Sequence, residues 1–203
     1  MRLPEYARRP LPGALLLLSL VAPACGGGGA TNHSTDTGRV GGATDAASMT
    51  GLLEGVEYLT ITSKEHVEDW QEYPTAPPAG GPHLGFWQNC GAYSVAVVDG
   101  AAVHSLEHGV VWVTYRPDLG VDAALELRAV LDDRPKTLLS PHAGQTAPVV
   151  ATAWGRRLEL DGVDVPRLTA FLDAFIDAET APEPGVTCQG ALGVPPAAPT
   201  ARP

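Results

Sequence analysis

The segment at residues 110–115 (VVWVTY) constrains the fold of this chain more than any other stretch. Its β-branched and aromatic residues form an unbroken run that predicts a strand, and Arg116-Pro117 ends that run. Residues 119–133 repeat apolar positions at helical spacing with charged residues opposite them, which predicts a helix. Residues 166–178 predict a second helix with a proline in its first turn.

Shorter apolar or alternating segments predict the remaining strands. They lie at residues 56–61, 137–139, 148–153 and 157–160, and the last two are expected to pair across Gly155-Arg156. This order lacks the regular alternation of strand and helix that a doubly wound sheet requires. We therefore expect an α+β fold, a single domain with a mainly antiparallel sheet and two or so helices packed on one face.

Residues 1–24 have the pattern of a secretory signal peptide. Basic residues precede a short apolar run at residues 11–21, and small residues lead to Cys25. The run is shorter than the roughly 20 residues that span a bilayer. Small residues before a cysteine, with glycines after it, resemble the lipobox of bacterial lipoproteins, which predicts acylation of Cys25. Ordinary signal-peptidase cleavage of the same bond is the alternative, because Ala22 stands where a lipobox usually has leucine.

These features predict an exported bacterial lipoprotein on the periplasmic or cell-surface face, held to the membrane by its N-terminal lipid anchor. Residues 25–51 are rich in Gly, Ser and Thr without periodicity, which predicts a flexible tether. Residues 189–203 are rich in Pro and Ala, which predicts a disordered tail. The globular domain is expected at residues 52–188.

The charge balance excludes one class of partner. The chain has 13 Lys and Arg against 23 Asp and Glu, a net charge of −10. Nucleic-acid binding requires clustered basic residues, so no nucleic-acid partner is expected. The sequence identifies no protein partner.

The three cysteines fit an exported protein. If Cys25 is acylated, Cys90 and Cys188 remain as a pair. The compartment beyond the cytoplasmic membrane is oxidising, so a Cys90–Cys188 disulfide is the simplest expectation. Two free thiols or a thiolate metal site are the alternatives, and the absence of a C-x-x-C pair weakens both.

A His-x-x-Glu-His motif, from His104 to His108, comes directly before the strand at residues 110–115. The same spacing is the formal signature of inverted zinc peptidases, in which the motif lies within a long helix. Here Gly109 and the strand follow at once, so a long helix is excluded. The hypothesis that the chain is an inverted zinc peptidase is therefore disfavoured. No G-x-S-x-G nucleophile or Gly-rich phosphate loop supports another enzyme class, and a non-enzymatic role is expected.

The motif nevertheless has a spacing that suits metal binding. In a strand, His104 and His108 would lie about 13 Å apart, but in one helical or tight turn their Cβ atoms approach to about 5–6 Å. A third imidazole, His83, follows a Gly-Gly-Pro segment. Three imidazoles with Glu107 predict a site for copper or zinc. The alternative is a structural polar network within an interaction or small-ligand-binding module.

The motif stands among further recognisable segments: Tyr73-Pro74-Thr75, Pro77-Pro78, Gly81-Pro82-His83, Trp87, Cys90-Gly91-x-Tyr93, His104-x-Leu106-Glu107-His108-Gly109 and Tyr115-Arg116-Pro117. Together they resemble the bacterial family of domain of unknown function 3105, over about residues 55–188. The resemblance implies an exported or membrane-attached domain and no established activity. His66 and His142 lie outside the matching segments and are expected to be surface or packing residues.

Overall fold

The computed structural model of the protein describes residues 49–192, which belong to one compact unit of the chain. The predicted signal peptide, the acylation site Cys25 and most of the predicted tether lie outside the described residues, as do residues 193–203. The domain boundaries and the lipid anchor therefore stay predictions. Among residues 49–192, no helix has the length and apolar character that crossing a membrane requires.

The described part of the chain forms eight strands, three α-helices and a 3-10 turn after a first helical turn at residues 49–52. The strands are β1 (Glu57–Tyr58), β2 (His66–Val67), β3 (His83–Leu84), β4 (Gly91–Ala92), β5 (Val111–Tyr115), β6 (Thr137–Pro141), β7 (Val149–Ala153) and β8 (Arg156–Leu160). The helices are α1 (Asp99–Glu107), α2 (Val121–Leu131) and α3 (Val165–Phe175), and the 3-10 turn is Pro117–Leu119.

Six strands form one mixed sheet in the order β1-β8-β7-β5-β6-β4. The pairs β1–β8, β8–β7 and β7–β5 are antiparallel, whereas β5–β6 and β6–β4 are parallel. The α+β fold with a mainly antiparallel sheet is therefore confirmed. The β7–β8 hairpin pairs Ala153 with Arg156, which places its turn at Trp154-Gly155, one residue earlier than expected.

Strand β5 is the centre of the core, as its apolar run predicts. Alternate residues of a strand point to opposite faces, so Val111 and Val113 lie on one face and Trp112 on the other. The first face packs against α2 and α3, the two predicted helices, which share this side of the sheet. This cluster contains Leu127 and Leu131 of α2 together with Leu168, Phe171 and Leu172 of α3.

The opposite face of the sheet is covered by α1, a helix that the sequence analysis missed. Trp112 and Leu138 of the sheet pack against Val103 and Leu106 of this helix. Every residue of α1 after Asp99 is buried, including its polar ones. A helix enclosed on all sides has no apolar stripe with polar residues opposite, so the usual helical periodicity is absent.

Strands β2 and β3 form a separate parallel pair. The register sets His66 opposite His83 and Val67 opposite Leu84. The chain between them contains Tyr73, whose hydroxyl donates a hydrogen bond to the Pro82 carbonyl at 2.9 Å. Burial raises the pKa of Tyr73, and the nearby Asp99 carboxylate raises it further, so the hydroxyl stays a donor. The pair brings two histidines together that are distant in sequence.

A Cys90–Cys188 disulfide joins the residue before β4 to the end of the domain, as predicted. Next to it, the Cys90 N–H donates to the Cys188 carbonyl at 3.0 Å. The bridge spans 98 residues of sequence, so it removes much of the freedom of the unfolded chain. It also holds the C-terminal segment, including Thr187, against the domain.

We expect loss of the disulfide to lower the free energy of unfolding by about 2–5 kcal/mol, because a long loop in the unfolded chain is no longer closed. Urea unfolding of Cys90→Ser/Cys188→Ser beside the oxidised wild type measures the change. Adding a reductant should lower the stability of the wild type only. Equal stability of the two proteins without reductant would contradict the expectation.

Gly109 makes the turn from α1 into β5 with a φ of +85°. A Cβ atom at this position would lie 2.6 Å from the Asp177 Oδ1 atom and 2.9 Å from the Asp177 Cα atom. Gly109→Ala therefore combines backbone strain with overlap, and we expect a loss of about 3 kcal/mol in the free energy of unfolding.

Gly185→Ala is the matched control for this substitution. Gly185 has the same φ of +85°, but nothing lies within 4 Å of the position that its Cβ would take. Strain alone predicts a loss of about 1 kcal/mol. Urea unfolding of both variants measures the two losses in the free energy of unfolding. Losses of similar size would show that Asp177 moves away from the new Cβ atom without a cost in stability.

Candidate metal centre

The last turn of α1 delivers the core of the candidate site. His104 and Glu107 are one turn apart on this helix, so their side chains share a face. Both residues lie beneath the protein surface, with exposures of 4% for His104 and 2% for Glu107. A carboxylate this deeply buried needs a compensating positive partner, because burial without one is costly.

The β2–β3 pair supplies two further imidazoles to the same space. His83 is fully buried, whereas the His66 side chain is 52% exposed. The ring centroid of His66 lies 4.9 Å from that of His83 and 4.7 Å from that of His104, on which it stacks. The His83 and His104 centroids are 5.0 Å apart. Three rings thus surround one point beside Glu107.

Backbone carbonyls fix the tautomers of the buried rings. The Nδ1–H of His83 donates to the Gly81 carbonyl at 2.8 Å, and that of His104 donates to the Leu84 carbonyl at 2.7 Å. A carbonyl oxygen only accepts, so each Nδ1 carries a proton. In the neutral rings, both Nε2 atoms therefore present lone pairs. A ring whose other nitrogen donates to a backbone carbonyl is typical of histidine metal ligands.

The contact between His83 and Glu107 is the decisive one. The Nε2 atom of His83 lies 3.0 Å from Oε2 of Glu107. The same oxygen lies 3.3 Å from Nε2 of His66. With Nδ1 of His83 already protonated, its neutral ring offers only a lone pair toward the carboxylate oxygen. Two facing acceptors require a positive charge between them, which is either a proton or a metal ion.

His66, His83, His104 and Glu107 form a group whose ligand atoms all lie within 4.8 Å of one another. Four ligands at about 2 Å from a tetrahedral ion are separated by roughly 3.3 Å. The two distances from the Glu107 oxygen, 3.0 and 3.3 Å, are close to that separation. The remaining ligand atoms, which lie up to 4.8 Å apart, would have to approach one another by up to about 1.5 Å to surround one ion.

His108 is the sequence-predicted ligand that lies outside this group. Its ring contacts that of His104, with 4.8 Å between centroids, which agrees with the expected proximity of the pair. Its Nδ1–H donates to the Thr187 carbonyl at 2.8 Å, and its Nε2 atom lies 3.8 Å from Oε2 of Glu183. The ring is buried beside the group and pairs with a different carboxylate.

His66 is the cluster residue that the sequence analysis missed: its side chain is half-exposed, as expected of a surface residue, but its ring packs against those of His83 and His104. Its place depends on the pairing of two strands with only two residues each, and such short strands carry no periodic pattern. His142 is a packing residue, as expected. Its Nε2–H donates to Asp99 at 3.2 Å, and its ring lies against Trp112.

Aromatic rings enclose the buried side of the cluster. The Trp154 ring meets that of His83 edge-on, with 5.8 Å between centroids. The Trp87 ring lies 5.6 Å from that of His104 and 4.9 Å from that of His108. These apolar walls lower the local dielectric, so charge interactions within the cluster are stronger than in water.

Burial lowers the pKa of His104 and that of His108 below the ordinary value of 6.5. For His104, the bond to the Leu84 carbonyl opposes the shift, while the neighbouring histidines add to it. For His108, the bond to the Thr187 carbonyl and the Glu183 carboxylate oppose it. Both rings are therefore neutral at pH 7, the form that binds a metal.

Residues 66–190 match the family described as "Protein of unknown function (DUF3105)". The chain belongs to this family. The match begins at the first residue of the cluster and contains every other member, so the whole candidate site lies within the DUF3105 region. No curated protein and no solved structure matches the chain.

The lowered pKa values predict a pH dependence of stability for the metal-free DUF3105 domain. Between the lowered folded values and 6.5, the unfolded chain binds more protons than the folded one. Stability is therefore complete above about pH 6.5 and falls as the pH decreases below that value, by at most about 1.4 kcal/mol per pH unit for each histidine.

Urea unfolding in the presence of a chelator, between about pH 7.5 and 5.5, measures this dependence in the range where histidines titrate. The variant His104→Asn/His108→Asn should show a smaller loss of stability on acidification. His142→Gln serves as the control and should retain the wild-type slope. An identical slope in all three proteins would show that the two buried rings do not carry the effect.

Proposed function

We propose that this domain binds one transition-metal ion, copper or zinc, through His66, His83, His104 and Glu107. The observation that carries the proposal is the 3.0 Å contact between the Nε2 atom of His83 and the Glu107 carboxylate. Because Nδ1 of His83 is committed to the Gly81 carbonyl, the contact brings two acceptors together. A metal cation between them satisfies both and uses the ligand atoms that already face each other.

The donor set favours a borderline ion over a hard one. Neutral imidazoles suit zinc and copper, whereas calcium and magnesium prefer shells of oxygen atoms. One carboxylate and three neutral rings neutralise part of the charge of a bound divalent ion. The buried site tolerates the remaining positive charge better than it would tolerate both charges of an ion without a carboxylate ligand. His108, predicted as a ligand from sequence, is not in this set because its Nε2 atom faces Glu183.

The second candidate is a structural polar network in an interaction or small-ligand-binding module. In that case a proton takes the place of the ion, and His83 and His66 donate to Glu107 as a buried brace. Open cavities of about 400 and 450 Å³ beside α2 favour a ligand-binding module. Neither cavity is lined by a cluster residue, which leaves the histidines a structural role in this candidate. A ligand in either cavity would not use the histidines.

The cellular setting is part of the proposal. The Cys90–Cys188 disulfide supports an oxidising compartment, which agrees with export. We propose that the mature protein is a lipoprotein whose acylated Cys25 holds the metal-binding domain at the membrane surface. An exported site of this kind handles metal ions outside the cytoplasm.

Metal analysis and calorimetric titration with Zn²⁺ and Cu²⁺ test the binding, with protein purified without a His tag. We expect one ion per chain and affinity at least about 100-fold weaker in His104→Asn, because one ligand is lost. The asparagine amide keeps a donor for the Leu84 carbonyl while removing Nε2. His142→Gln is the control and should bind as the wild type does.

The two candidates predict opposite results for the same proteins. A wild type that binds neither ion identifies the cluster as a polar brace. Binding that survives unchanged in His104→Asn also contradicts the proposed ligand set. For a true site, an ion at 100 times its Kd should raise the free energy of unfolding of the wild type by about 2.7 kcal/mol.

A further inference from the structure

The rings of His66, His104 and His108 lie in a row that continues to the Glu183 carboxylate, beyond the four side chains that surround the proposed ion. The ring centroids of His66 and His104 are 4.7 Å apart, and those of His104 and His108 are 4.8 Å apart. The Nε2 atom of His108 then lies 3.8 Å from the Glu183 carboxylate. The two ends reach solvent, since the side chains of His66 and Glu183 are 52% and 46% exposed.

We propose that His108 and Glu183 form a path along which the bound ion leaves the cluster toward the surface. The inference rests on the proposed function. It explains a buried histidine that belongs to the motif and contacts the His104 ring, yet has its Nε2 atom beside Glu183 rather than among the four cluster ligands. An ion that exchanges one ligand at a time needs such intermediate donors at short spacing.

His108 has the orientation that this role requires. Its Nδ1–H is held by the Thr187 carbonyl, so Nε2 alone is available to a metal. An ion with bonds of about 2 Å reaches both this nitrogen and the Glu183 oxygen at their separation of 3.8 Å. The Glu183 backbone N–H also donates to the Glu107 carbonyl at 2.9 Å, which ties the outer carboxylate to the end of α1.

The surroundings of His108 suit passage of a cation. Lys136 donates to the His108 carbonyl, but its charge is paired with Asp177. The Trp87 ring covers both His104 and His108, which shields the step between them from bulk water. The outer end carries the half-exposed Glu183 carboxylate, whose negative charge attracts the ion outward.

The proposal separates the rate of release from the equilibrium affinity. Four ligands set the Kd, whereas His108 and Glu183 lower the barrier for departure. The test loads the protein with Zn²⁺ or Cu²⁺ and follows release to an excess of a chromophoric chelator by stopped-flow absorbance. Competition titration of the same samples supplies the Kd.

Two variants address the path, each with a matched control. His108→Asn keeps a donor for the Thr187 carbonyl and removes Nε2, and His142→Gln is its control. Glu183→Gln removes the outer charge at a half-exposed position, and Glu179→Gln removes a charge from a nearby exposed position. We expect release to slow roughly tenfold in both path variants, with Kd within about threefold of wild type and both controls unchanged.

Each outcome decides between the possibilities. Release at the wild-type rate in both path variants overturns the path and leaves the metal site intact, since the ion then leaves past His66. A Kd weakened tenfold or more in His108→Asn makes His108 a ligand and also overturns the path. If His108→Asn does not fold, Glu183→Gln decides alone. A wild type without bound ion overturns the proposed function together with the path.

Discussion

The buried carboxylate of Glu107 is the group on which the arrangement of the domain depends. A negative charge at this depth is tolerated only where a positive charge, either a proton or a metal ion, is held beside it, and each element around Glu107 contributes to that requirement. Helix α1 fixes the carboxylate, β3 brings the fully buried His83 to 3.0 Å, and β2 adds His66. The two-residue strands β2 and β3 supply the histidines that contact this carboxylate.

The rest of the fold holds these segments together rather than contributing ligands. Strand β5 supplies Val111 and Val113 to the core with α2 and α3, and its Trp112 packs under α1. Gly109 allows the sharp reversal that lets the motif end on α1 and the strand begin at once. The disulfide holds Cys188, and with it the Thr187 carbonyl that orients His108. Structural and chemical roles are therefore divided between the two faces of the sheet.

Helices and strands with a clear local sequence pattern were predictable, whereas a helix buried on all sides was not. Residues 110–115 form an unbroken β-branched and aromatic run, the helices over α2 and α3 carry clear periodicity, and all three elements were confirmed. Helix α1 is buried on every side, so its sequence lacks the contrast between an apolar and a polar face. The sequence analysis placed the motif before the strand without recognising that it ends a helix.

The same distinction applies to the residues of the candidate site. Residues within the motif could be selected because spacing along one chain segment determines which side chains share a face. His66 lies beside His83 through the pairing of two very short strands. No local sequence pattern predicts this contact between distant segments. The free nitrogen of His108 points to Glu183 because the C-terminal segment folds back there, which also lies beyond local pattern.

The two halves of the cluster rest on supports of unequal stiffness. His104 and Glu107 stand on a helix packed into the core, whereas His66 and His83 stand on a parallel pair of two-residue strands. One half is thus preorganised and the other is compliant, so the cavity can adjust its shape to its occupant. A compliant cage would discriminate poorly between tetrahedral and tetragonal ions, so under the proposed function the supply of metals in the compartment would decide which ion is bound.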